Sequence, residues 1–404
     1  LAQIVGRASQ SGFTIGRGTS DGITLLAHAI AKRQEHNLDT YAVLIDLVKA
    51  FPSVPREGLW AVLGKFGVPP RLIALIKRMH TGVSAKLKMG AAEFKIPNTR
   101  GTKQGCPLAA ELFKLYIMGC CETHERPGLP FRTAAEGTEG TKGRGVVGAT
   151  WRRRDDSTAF TVSDSLYADD EGDIFESREA MHAWLRVRKA HFERFGLTMH
   201  IGRNGKPSKT EAMFFPGGNR SYTEGDTSPL EVDDGVITFT KEFTYLGAKL
   251  VVSGSSVPEV ETRIRKAAAV FGALKGTIFG TRDISAGVKR KVYIGLVLPV
   301  LLYGTECLAM GKADEMKMIR SQRRCVRIMT GTSRRKQWKA RISNAELEGQ
   351  LRLESMEFCL RRRALRWVGH VVRMPYDRLP RKLLFGWVEN ARPKGGQSVS
   401  QSVS

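Results

Sequence analysis

Two aspartates stand side by side at Asp169 and Asp170, between the apolar runs Ala159–Tyr167 and Gly172–Phe175. Runs of that length with polar boundaries read as strands, which makes Leu166-Tyr167-Ala168-Asp169-Asp170 the tip of a hairpin. Adjacent carboxylates repel, so one must hold a proton unless a cation intervenes. A hard divalent ion such as Mg²⁺ answers that repulsion, because it takes oxygen ligands and keeps positions for substrate phosphates. An acidic turn alone is equally an ordinary solvated turn. A second acid narrows the choice. Asp46 ends the apolar run Tyr41–Asp46 and is followed by Lys49, Ala50 and Phe51. By itself it also reads as a helix N-cap or a loop acid. If the two strands are neighbours, their acids form a two-metal site, in which ions about 3.5–4 Å apart clamp the attacking and leaving oxygens.

The rest of the chain fits an α+β protein with a polyanionic partner. Its 404 residues are 42% hydrophobic, enough for one large core or several modest ones. The formal net charge of +24 points to nucleic acid, although a membrane surface or a heparin-like polymer would satisfy it too. Six cysteines lack zinc-site spacing and read as small core residues in a reducing compartment. The longest apolar run, Val292–Tyr303, is broken by Pro299 and too short to span a bilayer. Ser53, Pro55 and Glu57 open a helix that stops near Gly67, and Leu72, Ile73, Ile76 and Met79 mark one face of the next. Val83–Met89 alternates like a strand, and Cys106–Thr123 reads as a helix. Ser177 caps a helix with Met181, Trp184, Leu185, Phe192 and Phe195 inward, ended by Gly196. Thr210–Phe215 is another strand. After Val257 the chain turns helical and basic. Val260, Ile264, Ala268, Phe271 and Leu274 line one helix, and Val288–Leu302 forms another bent at Pro299.

Between Asp46 and the hairpin lies Gly101-Thr102-Lys103-Gln104-Gly105-Cys106-Pro107-Leu108. Its glycines permit close approach of backbone to a base or phosphate, and the Gln104 amide both donates and accepts. Alone, the segment is equally a loop entering a helix.

In chain order these pieces resemble the reverse transcriptases of non-LTR (LINE-type) retrotransposons. Gln10-Ser11-Gly12-Phe13 with Gly16-Arg17-Gly18-Thr19-Ser20-Asp21 resembles the fingers motif. Asp46-Leu47-Val48-Lys49-Ala50-Phe51 resembles the first acidic motif, and Gln104-Gly105 the template and nucleotide loop. Tyr167–Asp170 matches the signature acidic hairpin. Lys209-Thr210, after Gly196-Leu197, resembles the lysine motif, and Phe243-Thr244-Tyr245-Leu246-Gly247 the primer grip. Arg366-Trp367-Val368-Gly369-His370-Val371-Val372-Arg373-Met374 resembles a tail motif of several non-LTR clades.

The resemblance implies a right-hand polymerase. Partial fingers would span 1–40. A palm with an antiparallel sheet would span 41–250, with an inserted loop at 126–150 and a primer grip at 243–250. A helical thumb would cover 251–310, a basic helical C-terminal region 311–390, and a disordered Ser-rich tail 391–404. Asp46, Asp169 and Asp170 would hold two Mg²⁺ ions, or Mn²⁺, for nucleotidyl transfer. Phe51 would exclude a 2′-hydroxyl, with a plain core aromatic as the other reading. Gln104 would contact the nascent base pair or the template backbone, and Gly105, Arg17, Lys49 and Tyr167 would bind substrate. Lys209 would protonate or neutralise pyrophosphate, with a solvated strand-end lysine as its other reading. Tyr245, Leu246 and Gly247 would support the primer. Trp367 reads as core, and Arg361–Arg363 as phosphate contacts or a solvated face. The partners would be an RNA template, a DNA primer and deoxynucleoside triphosphates, with no membrane role, and the site of action intracellular and nuclear.

Pro52 stands where the family often has an acid, and Ala109 where a serine is usual. Neither removes a metal ligand. The chain begins at Leu1 and reads as a fragment that starts after the upstream fingers segments. It carries no endonuclease, RNase H or Cys/His-knuckle pattern. Two other readings are an inactive retroelement relic that only binds nucleic acid, and a group II intron-type enzyme. The tail motif and the lack of a Cys/His nuclease module favour the LINE type over the latter.

Overall fold

Tyr41–Ile45 is apolar at every position, and a strand buried along its whole length belongs in the middle of a sheet. That strand, β1 (Thr40–Ile45), is joined by β2 (Asp164–Tyr167), β3 (Asp170–Phe175) and β4 (Glu211–Phe215). The four run in the order β2–β3–β1–β4, with antiparallel neighbours throughout. The computed structural model describes residues 8–90, 92–103, 105–124, 129–134, 157–203, 205–218, 220, 223–233 and 235–388. Gln104, the tail expected over 391–404 and most of the loop expected over 126–150 lie outside them.

The described residues divide into two compact units, one running up to Lys241 and resuming at Asp377, the other Glu242–Tyr376. In the first, side chains alternate between the faces of β3 as strand geometry requires. Gly172 meets α1 (Thr19–Glu35), where an added Cβ would lie 2.6 Å from Leu26 Cδ1 and 3.3 Å from Leu44 Cδ2. Glu171 and Asp173 face the opposite way, toward α4 (Arg178–Arg194), a helix capped by Ser177 as expected. Trp184 Nε1 donates to Asp173 at 3.0 Å. Arg188, fully buried, holds Glu171 through two bonds of 3.1 and 2.7 Å and stacks 4.0 Å from the Phe192 ring. Two further helices of this unit are α2 (Arg56–Lys65) and α3 (Pro107–Glu122). Cys120 and Cys121 are fully buried against Arg188.

Three expectations shift. The run Ala159–Tyr167 is two strands: Ser157–Val162 pairs with Leu129–Ala134, and only Asp164–Tyr167 joins the palm sheet. Leu129–Ala134 therefore falls within the span expected as loop. On the Pro70–His80 helix, Ile76 reaches the core, while Leu72 and Met79 stay 40% and 50% exposed.

The second unit opens with the hairpin Glu242–Tyr245/Ala248–Val251. Leu246 and Gly247 both take positive φ, 48° and 80°, which matches the right-handed twist of paired strands. Its turn carbonyls are bound by this unit's own side chains. Tyr303 donates to Leu246 O at 2.7 Å and Arg263 to Gly247 O. The division into compact units falls before Glu242. The helices α5 (Val257–Ala273), α6 (Lys312–Met329), α7 (Arg334–Lys339) and α8 (Met356–Val372) follow. Val260, Phe271, Tyr293, Met318, Leu347 and Leu360 share one hydrophobic core, so residue 310 is not a core boundary. The bend expected at Pro299 is a π-helical turn, Tyr293–Val297, leading into a short helix Leu298–Leu301. Proline has no N–H for the helical ladder, and a wider turn absorbs the missing bond. The chain then returns to the first unit. There α9 (Leu379–Phe385) packs on α1, and Arg378 bonds Asp21 at 2.5 Å. The region expected as continuous over 311–390 is thus shared between the units.

Candidate active site

In the antiparallel ladder of β1 and β3, Leu44 lies opposite Gly172 and Ile45 opposite Glu171. One residue further sets Asp46 against Asp170, on the same face as Leu44 and Gly172. The electrostatics agree with the register. Burial pushes the Asp170 carboxyl up to about 6, helped by Asp169 and then by Asp46. Asp169 is also raised, chiefly by burial; a backbone hydrogen bond opposes the shift and Asp46 adds to it. The acids at 46, 169 and 170 thus converge. Among the described residues no group of three or more His, Cys, Asp or Glu side chains is arranged to hold a metal ion. The donor set still fits a hard divalent ion: oxygen ligands only, gathered against their own repulsion, at an open pocket.

The backbone of Asp46 is clamped from the β4 side. Asp46 N donates to Thr210 Oγ1 at 3.1 Å, and His200 N donates to Asp46 O at 2.8 Å. Val48 N continues the ladder to Thr198 O at 2.8 Å. Thr210, fully buried, is therefore the residue of the expected lysine motif that touches the site. Lys209 is exposed, and its N–H donates to His200 Nδ1 at 3.2 Å.

The hairpin tip is supported from a distant part of the chain. Ala168 sits at φ 60°, in the left-handed region that an L side chain enters only under constraint. Gln10 Oε1 accepts from Ala168 N at 3.3 Å and from Gly12 N at 2.9 Å. Leu166 N donates to Ser9 O and Ser11 N to Leu166 O, at 3.0 and 2.8 Å, so residues 9–11 run alongside β2. At Gly12 an added Cβ would lie 2.4 Å from Ala168 N, so no larger residue fits beneath the turn. The motif read as fingers is here the floor of the acidic turn. Arg17 belongs to that floor too, donating to the carbonyls of Ala8 and Gln10 at 3.0 and 2.8 Å. Gln10, 1% exposed, had no periodic or acidic signal to mark it in the sequence.

Beside Asp169 opens a pocket of about 810 Å³ lined by Lys49, Phe51, Pro52, Gly105, Ala109 and neighbouring residues. Phe51 stacks on Phe113 at 4.2 Å, which fixes the ring at the pocket wall. Gly101, at φ 75°, lets its loop close on the Phe51–Val54 turn; a Cβ there would meet Pro52 Cα at 2.6 Å. Thr102 N donates to Phe51 O at 3.1 Å. The first turn of α3, which starts at Pro107, forms part of this wall through Ala109 and Ala110. Tyr167 does not line the pocket; its ring lies 6.3 Å from Phe13. Tyr245 is buried in the second unit, with Leu246 and Gly247 at its hairpin turn.

An antiparallel sheet that sets a strand-end acid against a hairpin-borne acid pair, with a pocket at their edge, defines the palm of a right-hand polymerase. Comparison with known proteins agrees. Residues 4–250, more than half of the chain, match the reverse transcriptase (RNA-dependent DNA polymerase) family, and the chain belongs to that family. It is 24% identical over 155 residues to a transposon-derived protein of Caenorhabditis elegans, covering 38% of this chain and 53% of that one. It is 27% identical over 109 residues to the retrovirus-related Pol polyprotein of a type-2 retrotransposable element of Drosophila melanogaster, covering 27% of this chain and 10% of the polyprotein. A protein of transposon TX1 of Xenopus laevis is 25% identical over 118 residues, 29% of this chain and 9% of the relative. The chain thus spans about half or less of each of these relatives. The family generally uses divalent metals. No helix among the described residues is long and apolar enough to cross a membrane.

Proposed function

We propose that this chain is the polymerase core of a non-LTR retrotransposon reverse transcriptase, extending a DNA primer on an RNA template in the nucleus. The β1–β3 register, with Ile45 opposite Glu171 and Asp46 and Asp170 next in line, supports this reading. Two Mg²⁺ ions, or Mn²⁺, held by Asp46, Asp169 and Asp170 would neutralise charge on the attacking and leaving oxygens. The protein's own part is positioning. Thr210 fixes Asp46, and Gln10 fixes the turn that presents Asp169. Lys49 brings positive charge to the pocket where a triphosphate would lie, and Lys209 neutralises departing pyrophosphate. Gly105 and its neighbour Gln104 meet the nascent base pair, and Tyr245, Leu246 and Gly247 form the primer grip. A template–primer hybrid is near A-form and is read by shape and backbone, which suits a diffusely basic chain.

Primer extension tests the reading. The protein, incubated with a DNA primer annealed to RNA, deoxynucleotides and Mg²⁺, should add nucleotides. Hybrid binding without any extension would overturn the assignment. The pocket wall supplies a sharper test. Phe51→Val removes the ring opposite the sugar and should raise ribonucleotide incorporation at least about tenfold relative to deoxynucleotides, the order of one lost steric contact. Unchanged sugar selectivity would remove Phe51 from that role. Gln10→Met keeps the volume but loses the bond accepted from Ala168 N of the turn and the one accepted from Gly12 N. It should lower kcat about tenfold while leaving KM for nucleotide nearly unchanged, because the loss falls on the geometry of the reacting groups. A rise in KM with kcat intact would show that Gln10 contributes to binding instead.

A further inference from the structure

The most exposed tryptophan of the second unit stands in a purely basic setting. Trp338, 80% exposed, lies on α7 with Arg334, Arg335, Lys336 and Lys339, and Arg341 follows. All five cations are exposed, and among the described residues none pairs with a carboxylate. The helix buries no residue, yet it is firmly held. Ser333 caps it, accepting from Lys336 N at 3.1 Å. Gln337 ties it to the next turn, donating to Ile342 O at 3.2 Å and to Asn344 Oδ1 at 3.1 Å. Arg335, Lys336 and Lys339 line a shallow depression of about 430 Å³. The neighbouring α6 adds like charge: the Arg327 guanidinium is held below its usual range by burial and then by Arg334, Arg323 and Arg324.

We propose that this face of α7 binds single-stranded nucleic acid, with Trp338 stacking on an unpaired base and the surrounding cations holding the adjoining phosphates. Like charges crowded together are costly unless a polyanion answers them. An indole left in water gains only if a flat apolar surface covers it, and an unpaired base offers one. A paired hybrid does not, because its bases are stacked on one another. The inference rests on the nucleic-acid reading of the chain, but binding needs no turnover, so it can fail or hold independently of the carboxylate site.

The test uses the whole chain and three labelled probes: an oligouridylate of about 15 nucleotides, the matching oligothymidylate, and a blunt RNA–DNA hybrid of equal length. Trp338→Ala should weaken oligouridylate binding roughly tenfold and leave hybrid affinity and melting temperature unchanged. Trp338→Phe should restore most of the loss, and Lys336→Glu with Lys339→Glu should flatten the salt dependence. An equal loss on oligothymidylate supports a site for any single strand; a loss confined to oligouridylate supports one for RNA. Single-strand affinity within about twofold of the parent for Trp338→Ala, or an equal loss on the hybrid, would overturn the proposal.

Discussion

Asp170→Asn should lower primer extension at least about 10³-fold while leaving the fold as stable as before or more so. The two effects separate because the carboxylate is costly to the empty protein. Its pKa stands at about 6, raised by burial and by Asp169 and Asp46. A folded-state pKa above the unfolded value means that the native protein holds the proton more tightly than the unfolded chain. The charged form therefore costs stability, most fully above the folded pKa, in the neutral range where the enzyme would work. Asparagine keeps the shape, removes the charge and relieves that cost. Steady-state extension and thermal melting at neutral pH on the same preparations check both halves. Activity within tenfold of the parent would remove Asp170 from the catalytic set. A large drop in melting temperature would mean that the residue is structural.

Arg188→Met should destabilise the first unit by about 3–5 kcal/mol, because it removes the buried guanidinium that holds the Glu171 carboxylate through two hydrogen bonds. Glu171 and Arg188 are both buried, and among their neighbours are a tryptophan, a phenylalanine and two cysteine thiols. The paired change Arg188→Met with Glu171→Leu removes both charges and should recover most of the loss. Urea unfolding of the single and double variants closes the cycle. A single-variant cost below about 1 kcal/mol would show that water reaches Glu171, contrary to its burial. The pair also matters for function. Glu171 immediately follows Asp170 on β3, so this ion pair anchors the strand that presents the acid, and a loosened strand should lose extension activity before it unfolds.

The sequence alone determined the acidic ends of the strands. An apolar run closing on an acid, two acids between strands, a serine before an amphipathic helix and a glycine after it are local patterns. Their physical causes, side-chain alternation and backbone capping, act within a few residues. Hence Asp46, Asp169, Asp170 and the Ser177 helix were legible, and the ordered motifs supplied the polymerase reading. Tertiary structure decided what supports them. Gln10 reaches Ala168 across 158 positions, and Arg378 reaches Asp21 across 357. Arg188 reads as a surface residue in any window, because only the folded core supplies its carboxylate and rings. The hairpin 242–251 follows the palm in sequence, but its turn carbonyls are held by Arg263 and Tyr303 from the chain after it. Such partners are chosen by chain closure and by the burial of polar groups that must be satisfied. No local stretch of sequence contains both members of such a pair.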